Sequence, residues 1–170
     1  MTTGQRGAAL AEDVPVKVTY IDAAEQTERI HAAIEHRAYE IFRHRGRGTG
    51  HQLDDWQLAE AEVTGKLDFG TTTRDHTILV GLDVADFESG SIELWIAPHR
   101  VVVCGKPQGY LGQPADARGS SEPSMIFREV PLTADFEPHG VKAKMRGRFM
   151  EIRLPQSESV EAAAALGVAA

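Results

Sequence analysis

Cysteine is almost absent from this chain of 170 residues, since Cys104 is the only one. A single cysteine excludes an intramolecular disulfide and a zinc site built from several thiolates. Long hydrophobic runs are lacking as well. No stretch approaches the ~18 consecutive apolar residues of a membrane span, and residues 1–10 lack the apolar core of a signal peptide. We therefore expect a cytoplasmic protein without a membrane partner.

Basic residues are outnumbered by acidic ones, 18 Lys and Arg against 25 Asp and Glu, which leaves a net charge of −7. Nucleic-acid binding depends on Lys and Arg side chains that neutralise phosphates, so this charge argues against a nucleic-acid partner. Hydrophobic residues make up 42% of the chain and charged residues 25%, which is typical of a globular protein.

Motifs of catalysis and of nucleotide binding are missing. No glycine-rich loop has the spacing of a phosphate loop, and no Gly-x-Ser-x-Gly segment marks a hydrolase nucleophile. His31 and His36 are wrongly spaced for two metal ligands one helical turn apart, and nothing completes a site with His44 and His51. Cys104 follows three valines and is expected to be a buried apolar side chain. The sequence predicts no enzyme, no cofactor, no metal and no nucleotide.

Residues 26–65 have the pattern of an α-helical hairpin, preceded by an arm at residues 1–25 that we expect to be flexible. Thr27 is a suitable N-cap for the first helix, and Gly46 stands where a C-terminal capping glycine belongs. Asp54 or Asp55 is expected to cap the second helix. Within the arm, apolar residues alternate in a pattern that suits an added strand, namely Val14, Val16, Val18 and Tyr20.

The hairpin is expected to dock on another surface, within the chain or in another subunit, through Ile34, Phe42 and Trp56. Two amphipathic helices cover each other's apolar stripes only in part, which leaves this face to be buried elsewhere. Basic residues at the end of the first helix complement its dipole, with an anion or RNA site as the alternative; they are Arg43, His44, Arg45 and Arg47.

From residue 67 to residue 155 the apolar residues alternate with the period of β-strands. Short strands separated by turns, with no helical pattern among them, predict a mainly β chain with an immunoglobulin-like antiparallel β-sandwich. Trp95 lies opposite to its neighbours in the alternation and faces either solvent or the hairpin. A long loop is expected at Lys106–Ser124, and a flexible tail at residues 156–170. The strand candidates are Ile78–Leu82, Ile92–Ile96, Arg100–Val103, Ile126–Leu132, Val141–Met145 and Phe149–Leu154.

The segment from Val141 to Pro155 resembles the signature of the small heat-shock proteins. That signature has an alanine, a glycine hairpin, an apolar pair, and alternating apolar residues that end at a proline. Upstream, Phe127–Leu132 is similar to the family's strand of Phe and Arg, and the earlier strands follow the family's order. The resemblance covers residues 67–155 and implies a sandwich of the α-crystallin type. The matching residues near the end are Ala143, Phe149, Met150, Ile152, Leu154 and Pro155.

A groove between two strands is the binding site that this resemblance implies. In the family it receives an Ile-x-Ile-like tail from a neighbouring subunit by edge pairing. Leu166 and Val168 lie where that tail motif belongs, and the loop Lys106–Ser124 lies where bacterial members exchange a strand between dimer partners. The strands that flank the groove would contribute Ile92, Leu94, Ile96, Val141, Ala143 and Met145.

Residues 26–65 resemble a second family, a short bacterial helical domain of unassigned function that often precedes such sandwiches. The similarity brings no activity with it. Its matching residues are Ile30, Arg37-Ala-Tyr39, Arg45-Gly46, Gly50-His51, Asp54-Asp-Trp56 and Ala59-Glu60.

The first resemblance implies an ATP-independent holdase that binds partly unfolded proteins through apolar surface and assembles with itself as a homodimer or larger oligomer. Exposed apolar patches mark such interaction sites. The alternative is a scaffold or adaptor in which sandwich and hairpin bind specific protein partners. An ordered hairpin in place of a long, Phe-rich N-terminal arm favours this second function.

Overall fold

Two five-stranded sheets face each other and form a β-sandwich, which confirms the predicted fold class. The computed structural model describes residues 13–109 and 123–157. Sheet I has the strand order β1-β9-β10-β5-β4, and sheet II has the order β2-β6-β7-β8-β3. The strands are β1 Val14–Pro15, β2 Lys17–Tyr20, β3 Thr64–Gly65, β4 Phe69–Arg74, β5 Thr77–Asp83, β6 Glu93–Ala97, β7 Arg100–Gly105, β8 Ile126–Pro131, β9 Lys142–Arg146 and β10 Phe149–Pro155.

The pairings within the predicted sandwich are antiparallel, but sheet II as a whole is mixed. β2 pairs with β6, and β3 with β8, in the parallel direction. These two short strands come from the arm and from the residue pair that follows the second helix. The predicted flexible arm is therefore wrong for residues 13–25, which belong to the folded part of the chain. The alternating valines of the arm do form strands.

The sandwich core lies between the inner faces of the two sheets. Strand alternation directs one side chain in two toward this interior. β10 shows the pattern clearly, because Met150, Ile152 and Leu154 are buried while Phe149 and Arg153 are exposed. The remaining strands contribute fully buried side chains in the same way, including Val80, Leu82, Leu94, Ile96, Val101, Val103 and Val130.

The helical hairpin consists of α1, Ala23–His44, and α2, Gln52–Val63. The predicted cap at Thr27 is wrong, because the carboxylate of Asp22 accepts from the Glu25 amide (2.9 Å) and starts α1 one turn earlier. The predicted cap at Asp54 or Asp55 is also wrong: α2 starts at Gln52, and both aspartates lie in its first turn. Gly46 follows the helix end at φ +91°, which confirms its capping position.

The hairpin covers the outer face of sheet II. Trp95, Val102, Cys104 and Phe127 point outward from their strands and pack against the apolar stripe of the helices. The sandwich therefore has two apolar layers, one between the sheets and one between sheet II and the hairpin. Trp95 is 5% exposed, so of its two predicted surroundings the hairpin is the correct one. The helices contribute Ile30, Ala33, Ile34, Ala38, Ile41, Trp56, Ala59 and Val63.

Candidate protein-interaction cleft

A cleft between the sheets opens where β6 of sheet II and β9 of sheet I lie at neighbouring edges. Residues 14–20, which we call the strap, fill it. β1 pairs with β9 in the antiparallel direction, and β2 pairs with β6 in the parallel direction. Between them the amide of Val16 donates to the carbonyl of Ala143 (3.1 Å). The strap thus crosses from one sheet to the other and satisfies backbone groups on both edges.

The six residues predicted to flank a groove all lie around this cleft. Ile92, Leu94, Ile96 and Val141 are buried in the sandwich core, with Leu94 wholly inaccessible. Ala143 and Met145 are only partly buried and pack against that core. The strap contacts this set in register: Val18 lies opposite Leu94, Tyr20 opposite Ile96 and Val14 opposite Met145.

Val16 and Val18 supply the apolar contacts of the strap, since both are partly buried against the sandwich core. The sequence analysis did not predict Val16 and Val18 as residues of the cleft. They could have been predicted, because Val16-Lys-Val18 has the same apolar-x-apolar pattern that was expected of the tail. The tail motif itself, Leu166 and Val168, lies outside the described residues, as does most of the loop Lys106–Ser124.

Ion pairs fasten the strap at its start and in its middle. The Asp13 carboxylate accepts from Lys144 Nζ (2.9 Å) and Arg146 Nε (2.8 Å), and these bonds lower the pKa of Asp13. Lys17 Nζ lies 3.2 Å from a Glu93 oxygen, and the Thr19 hydroxyl donates to the same carboxylate. All of these charges are at least partly exposed, so salt screens them.

Replacing Asp13 with asparagine is expected to loosen the strap. Hydrogen bonds from Lys144 and Arg146 lower the pKa of Asp13 in the folded state. Its ion pairs therefore stabilise the strap fully above the ordinary carboxyl pKa of about 4, and this contribution is lost as the pH falls below that value. Trypsin cleavage after Lys17 at pH 8 measures the opening, and we expect faster cleavage in Asp13→Asn. Asp75→Asn, an exposed acid at the distant β4–β5 turn, is the matched control. Equal cleavage rates in both variants would contradict a fastening role for Asp13.

Of the three predicted hairpin contacts, Ile34 and Trp56 belong to the second apolar layer and Phe42 does not. Ile34 is buried there, Trp56 packs at its margin beside His31 (ring centroids 4.9 Å), and Phe42 is half-buried next to Tyr39. The sequence missed the partners from sheet II, Val102 and Phe127, which face these helices. A signal for this second layer is the unbroken apolar run in β7, because a strand that is buried on both faces loses its alternation.

Ion pairs with one buried partner each join α2 to α1 and to Arg45, which follows α1. Arg37 is 2% exposed and donates through Nε to Glu62 of α2 (2.5 Å) and through Nη1 to Glu40 (3.1 Å). Arg45 pairs with Asp55, which is also buried. Charges in an apolar setting need such partners, so these side chains fix the hairpin geometry and are not free for binding.

Cys104 lies in the same layer and is wholly inaccessible. Burial, with a smaller contribution from Glu93, raises the pKa of its thiol to about 12. Since only the thiolate is nucleophilic, we expect alkylation by iodoacetamide at pH 8 to be slower by about a thousand-fold or more than in denaturant. Mass spectrometry of the native and unfolded protein measures this ratio. Rapid labelling of the native protein would show that the hairpin opens readily.

Neither a metal-ligand cluster nor a membrane-spanning helix is present in residues 13–109 and 123–157. No group of three or more His, Cys, Asp or Glu side chains in these ranges is arranged to hold a metal ion. Among the same residues, no helix is both long and apolar enough to cross a membrane.

Comparison with known proteins identifies the hairpin more clearly than the sandwich. A family described as a protein of unknown function (DUF2934) matches residues 29–64, which confirms the resemblance of the hairpin to an unassigned helical domain. No curated protein matches the chain.

Solved structures similar to this chain include small heat-shock proteins. HSP18.5 from E. histolytica is 18% identical, with a TM-score of 0.43 over 56% of this chain and 93% of that one. hspA from Xanthomonas axonopodis is 15% identical, with a TM-score of 0.43 over 54% and 94%. Heat shock protein 16.0 from Schizosaccharomyces pombe is 12% identical, with a TM-score of 0.44 over 59% and 82%. Similarity of this degree assigns no activity to this chain.

Proposed function

We propose that this protein is an ATP-independent holdase that binds exposed apolar segments of partly unfolded proteins in the cleft between β6 and β9. The proposal rests on the observation that the strap, residues 14–20, occupies the cleft. An extended, valine-rich segment of the chain lies there, paired through its backbone on both edges and through Val16 and Val18 to the core. A cleft that accepts this segment suits other extended apolar segments, because backbone pairing is independent of sequence.

The strap then competes for the cleft with the partly unfolded protein to be bound, which we call the client. Its two strands comprise only two and four residues, and its ion pairs are exposed to solvent to a large extent. A short element with few buried contacts opens at low cost in free energy. A client segment binds when the strap leaves, and the strap covers the cleft again when the client is released.

Self-association is part of the proposal. β4 is the last strand of sheet I, and all its residues are exposed, from Phe69 to Arg74. Within the described part of the chain its outer edge pairs with no other strand. An unpaired edge is a template for strand addition, which supports a homodimer or a larger assembly built on β4.

A light-scattering assay of an aggregating model substrate without ATP tests the holdase function. Val16→Asp/Val18→Asp places charges against the apolar core and should release the strap, so we expect it to suppress aggregation at a lower molar ratio than the wild type. Val14→Asp is the matched control, because Val14 belongs to the same strap but is 57% exposed. It should behave like the wild type. Circular dichroism establishes that each variant is folded.

The competing function is that of an adaptor. The hairpin covers the outer face of sheet II and the strap covers the cleft, so few large apolar side chains of the described residues remain exposed. Three of these lie on the hairpin and could contact a specific protein partner: Tyr39, Leu53 and Leu58. Absence of suppression by both the wild type and the strap variant at several-fold molar excess would refute the holdase and favour the adaptor.

A further inference from the structure

The outer face of sheet I is uncovered by any described element, in contrast to that of sheet II. Side chains that alternate with the buried ones point outward here, and register places Thr72 beside Leu79 and Gly70 beside Gly81. Phe149, 60% exposed, lies at one end of this face. Together these five residues line an open depression of about 760 Å³. We call this surface the glycine face.

Gly70 and Gly81 are directly opposite each other on neighbouring strands. Neither has the positive φ that favours glycine, and a Cβ atom built on either would meet nothing within 4 Å. Neither backbone conformation nor crowding within the described fold therefore requires glycine here. A glycine inside a strand weakens it and often marks a place where another backbone approaches closely. The pair indicates an occupant with small side chains.

Cations lie at the end of the glycine face where the described chain stops. Arg74 is paired in register with Thr77, which in turn pairs with Pro155, and Lys142 is paired with Arg153. Arg153 donates to Glu151 (2.8 Å). Arg74 and Lys142 make no ion pair with any residue in ranges 13–109 and 123–157. Asp75 in the adjoining turn and Glu137 beside Pro155 also border this corner, so Arg74 and Lys142 are the two cations that an acidic segment would reach.

The segment that follows this corner has complementary chemistry. Residues 158–168 carry Glu158 and Glu161, then four consecutive alanines at 162–165, then Leu166 and Val168. The glycine face extends from Thr77 to Asp83, about 20 Å at the rise of a strand. Eleven residues cover about 16 Å at the rise of a helix and about 36 Å when extended, so the segment spans the face when it is at least partly extended.

We propose that residues 158–168 dock on the glycine face of the same molecule. Glu158 and Glu161 pair with Arg74 and Lys142, and the alanines allow the segment's backbone to approach Gly70 and Gly81. Leu166 and Val168 extend toward Phe149. This assigns the tail to sheet I and not to the cleft between β6 and β9, whose edges the strap already pairs.

Disulfide trapping in the full-length protein tests the docking. Gly81→Cys introduces a side chain into open space, and is combined with a cysteine at each of positions 162 to 165 in turn. Docking raises the local concentration of the two thiols, so we expect oxidation to form an intramolecular disulfide about ten-fold faster than in a control pair with Glu35→Cys on the exposed side of α1. Cys104 does not interfere, because it is buried. A gel without reductant separates intramolecular from intermolecular products.

Charge reversal provides the matched comparison. Glu158→Lys/Glu161→Lys should reduce the trapping rate to that of the control pair, whereas Glu28→Lys/Glu35→Lys, with the same change in net charge on α1, should leave it unchanged. Faster trapping of the tail by Val14→Cys at the cleft would overturn the proposal, as would trapping at Gly81→Cys no faster than the control. If all the disulfides joined two different molecules, docking within one molecule would be refuted.

Discussion

Replacing Trp95 with alanine is expected to lower the free energy of unfolding by about 3–5 kcal/mol, the usual cost of removing a large buried aromatic side chain. The indole is 5% exposed between sheet II and the hairpin. It contacts the Phe127 ring at a centroid distance of 5.3 Å, and the Arg29 guanidinium lies 5.3 Å above it. The substitution leaves a cavity at the centre of the second apolar layer. Urea denaturation measures the loss.

Leu58→Ala is the control for Trp95→Ala. Leu58 belongs to α2 but is 48% exposed, so its truncation should change the free energy of unfolding by no more than about 0.5 kcal/mol. Trp95→Ala should also accelerate alkylation of Cys104, because the two side chains share the layer that the hairpin seals. A small stability loss with unchanged labelling would show that the hairpin does not depend on this contact.

Replacing Leu94 with alanine is expected to cost about 2–5 kcal/mol, because Leu94 is wholly buried in the sandwich core. This result distinguishes a core side chain from a groove side chain. Truncating a side chain that only lined an open groove would change the free energy of unfolding little and would weaken the binding of partly unfolded proteins instead. Leu94→Ala should therefore reduce the thermal stability of the whole sandwich, which calorimetry measures.

Val18→Ala is the comparison, since Val18 lies opposite Leu94 in register but belongs to the strap and is only partly buried. We expect a loss of about 1 kcal/mol in the free energy of unfolding. Its main effect should be faster tryptic cleavage after Lys17, which reports strap opening. If the two variants were equally destabilised, the strap would be an integral part of the core, and its role as an exchangeable occupant of the cleft would be refuted.

Strand positions were predictable from the sequence where one face of a strand is buried. β5 and β10 alternate between buried and exposed residues along their length, and both were found within one or two residues of their ends. β4 was not found as a separate strand, because Phe69–Arg74 is exposed throughout and has no apolar alternation. The caps of both helices were misplaced: Asp22 caps α1, and α2 begins after His51, whose side chain makes no capping hydrogen bond, so a search for Asp or Thr could not find its start.

The groove residues came from the resemblance to the small heat-shock proteins and stay a prediction as a binding site. The structure buries Ile92, Leu94, Ile96 and Val141 in the sandwich core and leaves Ala143 and Met145 partly buried beside it. The occupant of the cleft was not predicted, because pairing with a partner more than 70 residues away depends on how the whole chain closes. Val14–Tyr20 and Leu166–Val168 have similar apolar patterns, and nothing local to either distinguishes them.

The sequence by itself determined the class of protein: a chain without disulfides or catalytic motifs, a helical hairpin followed by short alternating strands, and an acidic surface. Periodicity and composition are local properties, and these conclusions depend on nothing else. The tertiary structure decided which apolar surfaces remain available. It covers sheet II with the hairpin, fills the cleft with the strap and leaves the glycine face open, because burial results from contacts between segments far apart in the chain.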